Sequence, residues 1–94
     1  MKKVYMITTT TCSVCKMLKP MINKVVGDSK CELIIENADD NPSEIVKNLV
    51  SEYTIKSVPA FFFMNEGAVI STHFGAISMP DLKKKVNELE NYGG

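Results

Sequence analysis

Cys12 and Cys15, separated by Ser13 and Val14, are the residues whose types and spacing carry chemistry in this chain. Before them runs the short apolar stretch Val4-Tyr5-Met6-Ile7. After them Met17, Leu18, Met21, Ile22, Val25 and Val26 recur at helical spacing. The cysteines are therefore predicted where a buried strand ends and a helix begins. There the first sulfur faces unpaired backbone N–H groups and about half a positive charge from the helix dipole. Both favour thiolate over thiol, and the thiolate is the nucleophile in disulfide exchange. A second thiol at this spacing can close on the first and release a bound partner. The chemistry implied is thiol–disulfide exchange.

The elements that must hold this junction are legible along the chain. A second strand is predicted over Cys31 to Glu36, centred on Leu33, Ile34 and Ile35. Asn41, Pro42 and Glu44 suit the cap, first and third positions of a helix whose apolar face is Ile45, Val46, Leu49, Val50 and Tyr53. Val58-Pro59 interrupts and launches Ala60-Phe61-Phe62-Phe63-Met64, an apolar run suited to a central strand. Asn65-Glu66-Gly67 is turn chemistry, and Ala68 to Phe74 returns as its antiparallel partner. Ser78-Met79-Pro80-Asp81 opens a last helix with Leu82, Val86 and Leu89 inward and Lys83, Lys84 and Lys85 largely outward. Residues 91–94 are expected as a frayed tail. The order βαβαββα predicts an α/β fold: a four-stranded mixed sheet with helices on both faces.

Composition narrows the function classes. Ninety-four residues make one domain, able to bury its own core. No apolar run approaches the length of a membrane span. Met1-Lys2-Lys3 is followed by a short apolar stretch and four threonines, unlike a secretory signal, and the chain is read as cytoplasmic. An odd count of three cysteines argues against a secreted disulfide scaffold and for a reducing compartment. Net charge is zero but unevenly spread: residues 1–30 hold six lysines against Asp28, and residues 31–55 hold six acids against Lys47. Lys16 and Lys19 on the cysteine helix either support a thiolate or solvate a helix face. Every basic residue is lysine, so no arginine fork is available for bases or phosphates, and nucleic-acid binding is not expected.

Cys12-Ser-Val-Cys15-Lys16, Pro20, Asn41-Pro42, Tyr53-Thr-Ile55, Val58-Pro59 and Phe74-Gly75-Ala76 stand in the order and spacing of a thioredoxin. The chain resembles that family over nearly its whole length, without the family's leading strand and helix. It thus looks like the minimal thioredoxin fold that glutaredoxins also use. The resemblance implies a small, monomeric protein-disulfide reductase with no cofactor and no resident metal. In it Cys12 attacks, Cys15 resolves, and the two form the redox-active disulfide. Thr11, Ser13, Val14, Val58, Pro59 and Gly75 would contact substrate, with Val58–Pro59 a cis peptide and Val58 pairing its backbone with an extended peptide. A thioredoxin reductase or glutathione would supply electrons.

The departures from the family bear on mechanism. Met6 and Ile35 stand where thioredoxins keep a buried aspartate and a lysine, so no ionisable side chain is expected beneath Cys15. Thr11 replaces an aromatic residue, and Ser13-Val14 replaces Gly-Pro. Two other readings compete. A glutathione-dependent, glutaredoxin-like enzyme fits the length, though Gly75-Ala76-Ile77-Ser78 with Leu82 lacks the Gly-Gly and acidic pair that usually hold glutathione. A soft-metal carrier would bind through Cys12 and Cys15 without catalysis. Cys31 is read as a structural or incidental thiol, His73 as an ordinary strand residue, and Met6, Met17, Met21, Met64 and Met79 mostly as core filler.

Overall fold

Two strands with almost no exposed side chain set the architecture: β1 (Lys2–Thr8) and β3 (Ala60–Asn65). A strand buried on both faces needs a cover on each side. The computed structural model describes residues 1–55 and 57–93. In it β1 and β3 lie antiparallel at the centre of a four-stranded sheet ordered β2-β1-β3-β4. The edges are β2 (Glu32–Asn37), parallel to β1, and β4 (Ala68–Phe74), antiparallel to β3.

Side chains alternate across the sheet, so one strand feeds two half-cores. Val4, Met6, Phe61 and Phe63 meet α1 (Ser13–Gly27) and α3 (Met79–Glu90) through Ile22, Val26, Leu82, Val86 and Leu89. Tyr5, Ile7, Phe62 and Met64 meet α2 (Glu44–Tyr53) through Val46 and Leu49. Phe61, Phe62 and Phe63 are each fully buried, worth roughly 1.5–3 kcal/mol apiece relative to exposure. Order, sheet type and helices on both faces are as the sequence predicts.

The hairpin joining β3 and β4 turns on Glu66 and Gly67, both at positive φ (52° and 82°), the backbone of a two-residue type I′ turn. One register shift falls between Phe63 and Met64, where β4 carries an extra residue.

Local differences have physical causes. The cap of α2 is Ser43, not Asn41: its Oγ accepts the Val46 N–H at 3.4 Å. Asn41 instead takes a left-handed φ of 50°, a conformation its short amide side chain tolerates. Glu36 secures the entry by accepting the Ser43 N–H at 2.7 Å and its hydroxyl at 2.8 Å. Glu44 becomes the first helical residue, still facing the positive end of the dipole. Cys31 falls just outside β2. Met17, expected in the core, is 79% exposed, and Met79 and Ile45 are also exposed. Lys85 is only partly outward, with Nζ 5.7 Å from the Phe63 ring centre. Asn91 and Tyr92 close the end of α3 by donating to Asn87 O and Leu89 O, each at 3.1 Å. Gly94, the last residue of the expected tail, lies outside the described residues, as does Lys56.

Candidate active site

β1 ends at Thr8, and three threonines lead into Cys12, which caps α1 in an extended conformation (φ −84°, ψ 95°). A cap normally offers an oxygen to the free N–H groups of the first turn. Here the acceptor is sulfur: the Cys15 N–H donates to Cys12 Sγ at 3.2 Å. The first turn holds no acid to compete for that positive end. Cys12 and Cys15 form a disulfide with Cα atoms 5.3 Å apart. Cys12 is half-buried and Cys15 only 1% exposed, so the first sulfur is the accessible one.

The register brings the other predicted residues to the same end of the sheet. Ile7 pairs with Ala60, and Ala60 with Phe74, so Pro59 and Gly75 flank the end of β1 where the cysteine loop departs. The Val58–Pro59 bond is cis. Val58 and Cys12 both pack against the buried cluster that contains Cys15. Gly75, at φ 96°, donates its N–H to Pro59 O at 2.8 Å, joining the two loops. Thr11, Ser13 and Val14 line the exposed rim beside Cys12, together with exposed Met17 one turn along.

On the β2 side a cleft of about 270 Å³ opens against the disulfide, lined by Thr8, Thr10, Cys15, Lys19, Ile35 and Asn37 among others. The loop after β2 braces it. Asp39 accepts the Thr10 N–H at 3.2 Å, and Asn37 Nδ2 donates to Thr10 Oγ1 at 3.3 Å. The expectation of no ionisable side chain beneath Cys15 concerns its apolar side, where Met6, Ile22 and Phe61 share its cluster; the cleft is a separate, polar flank. Met6 is fully buried and Ile35 is apolar, but Lys16 and Lys19 line the cleft. The spacing of Lys19, four residues after Cys15, was the available signal.

Cys31 lies apart, buried near the start of β2 and outside the disulfide. Burial pushes its thiol up, opposed in part by its hydrogen bond with Ser29. His73 bonds Ala76 O at 2.9 Å through Nε2 and lies against Phe61. Neither residue lines the cleft.

A redox-spaced disulfide at a strand-to-helix junction, with a cis-proline at the same end of the sheet, can be compared with known proteins. The family model described as Thioredoxin matches residues 3–88. The chain belongs to the thioredoxin family. Thioredoxin 2 of Chlorobaculum tepidum is 33% identical over 79 residues, spanning 82% of this chain and 68% of that one. The thioredoxin of Chlorobaculum thiosulfatiphilum is 32% identical over the same shares. Among solved structures, a mutant thioredoxin from Halobacterium salinarum superposes with a TM-score of 0.81 at 17% identity, covering 99% of this chain and 78% of that one. Oxidised mitochondrial thioredoxin 3 from Saccharomyces cerevisiae gives 0.76 at 22% identity, covering 93% and 77%. These structures share the fold. As a thioredoxin, this chain is a disulfide oxidoreductase with disulfide substrates. No described helix is long and apolar enough to cross a membrane.

Proposed function

We propose that this single-domain thioredoxin reduces protein disulfides as a cytoplasmic monomer, with Cys12 attacking and Cys15 resolving. The observation that carries the assignment is the asymmetry of the two sulfurs. Cys12 Sγ is accessible and accepts an N–H at the start of a helix, whereas Cys15 is buried. Donors of this kind stabilise a thiolate at Cys12. Cys12 thiolate attacks one sulfur of the substrate disulfide, and the other leaves as a thiol after taking a proton. Cys15 then attacks Cys12, the second substrate thiol departs, and the enzyme is left oxidised. Thr11, Ser13, Val14, Val58, Pro59 and Gly75 form the substrate rim, and Val58 offers its backbone to an extended peptide.

A thioredoxin reductase is the proposed electron donor, with glutathione the competing one. The test is turnover of an insulin-type disulfide with a thioredoxin reductase, against glutathione with glutathione reductase. Faster turnover with the first supports the proposal. Turnover with glutathione alone would establish the glutaredoxin-like reading instead.

A further inference from the structure

Cys15 has one apolar flank and one polar flank. Met6, Ile22, Phe61, Ile77 and Leu82 share its hydrophobic cluster. Opposite them the cleft reaches it, with Thr8, Thr10, Asn37 and Lys19 in its lining. Lys19 follows Cys15 by four residues on α1, so both side chains lie on one helix face, with Cβ atoms about 5–6 Å apart. A helical side chain leans toward its helix N-terminus, over the preceding turn. For Lys19 that direction is toward Cys15, and its half-buried side chain follows the cleft wall. Lys16 touches the cleft too, but it follows Cys15 directly and is turned about 100° around the helix.

Among the described residues no acid lines the cleft. Asp39, at its rim, is engaged by the Thr10 N–H at 3.2 Å, and Glu36 is turned to Ser43. The residues of β1, β2, β3 and α3 in this cluster or cleft (Met6, Thr8, Ile35, Asn37, Phe61 and Leu82) are uncharged. His73 on β4 is bonded to Ala76 O and packs on Phe61.

We propose that Lys19 is a positioning residue for the resolving thiol, its ammonium favouring the Cys15 thiolate across the solvent-open cleft. The inference rests on Cys15 being the resolving thiol. The Cys15 S–H proton passes to solvent in the cleft, and the thiolate attacks Cys12 Sγ. The bond from Cys12 to the substrate sulfur breaks, and that sulfur leaves with the electron pair and takes a proton from solvent. A cation beside Cys15 lowers the pH at which the first of these steps becomes available.

Rapid mixing of the reduced protein with 5,5′-dithiobis(2-nitrobenzoate) separates the two thiols. The first release of thionitrobenzoate reads attack by Cys12, and the second reads resolution by Cys15. In a Cys31→Ala background, where Cys12 and Cys15 are the only thiols, Cys15→Ser should give the first release only; a second release there would overturn the role assignment itself. With that assignment holding, Lys19→Met should raise the pH midpoint of the second phase by about half to one unit, slowing it roughly three- to tenfold at neutral pH. Lys19→Arg should keep the wild-type midpoint. An unmoved midpoint, a uniform slowing at every pH, or an equal shift from Lys16→Met or Lys19→Arg would overturn the proposal.

Discussion

The main-chain N–H of Cys15 donates to Cys12 Sγ at 3.2 Å, so one cysteine of the disulfide supplies the helix-end donor to the other. Cys15→Ser preserves that donor, because it comes from the backbone. The variant should therefore still attack and should accumulate a mixed disulfide through Cys12, while Cys12→Ser should trap nothing. Iodoacetamide labelling of the reduced protein at neutral pH, read by mass spectrometry, should modify Cys12 about tenfold faster than Cys15. Faster labelling of Cys15 would reverse the roles.

Cys31 lies at the Lys3–Glu32 end of the β1–β2 pair, away from the Thr8–Asn37 end that borders the disulfide. Cys31→Ala should leave insulin reduction nearly unchanged. Its effect should appear instead in stability against pH. Burial raises the thiol above its ordinary value, so the folded chain keeps a proton that the unfolded chain loses above about pH 8.5. Stability of the oxidised protein should fall through that window as pH rises. Urea midpoints at pH 7 and pH 10 should converge more closely in Cys31→Ala; an identical decline in both proteins would refute the linkage.

Gly75 combines φ 96° with its N–H bond to Pro59 O. An added Cβ meets no neighbouring atom within 4 Å, so strain rather than collision governs substitution. Gly75→Ala should cost about 1–2 kcal/mol of stability through the left-handed backbone. Thermal unfolding measures this. A neutral result would show that the loop relaxes to negative φ.

Ser43 caps α2 and is itself held by both carboxylate oxygens of Glu36. Ser43→Ala should lose about 1 kcal/mol, and Glu36→Gln a smaller amount, since the amide can still accept one bond. A double-mutant cycle on urea stability should show that the two losses do not add.

Element order and the cysteine junction were legible because each rests on strong local signals: unbroken apolar strands, a Glu-Gly turn and capping residues beside apolar periodicity. Proline at 42 also suggested a helix start, but two serviceable caps, Asn41 and Ser43, sit on either side of it. Only the reach of Glu36 from β2 shows which is used. Met17 fits helical spacing, yet it lies on the side of α1 that faces water. The register shift at Phe63 and Met64 has no residue signature such as glycine. The polar flank of Cys15 was hidden because Thr8, Lys19 and Asn37 come from three elements, and the meaning of each depends on the others being adjacent.

The burial of every β3 side chain from Ala60 to Met64 bears on how the molecule can come apart. Phe62 belongs to the α2 side and Phe61 and Phe63 to the other, so the two half-cores are opposite surfaces of one strand. Detaching α2 alone would expose Phe62, Tyr5 and Ile7 together, leaving β1 and β3 wet on one face. Loss of either half would expose one face of both central strands. The central amides of β1 and β3 should therefore exchange hydrogen with solvent at one shared free energy, that of global opening. The threonine loop and the rim around Cys12, which belong to neither strand, can open locally without drawing on that cooperative unit.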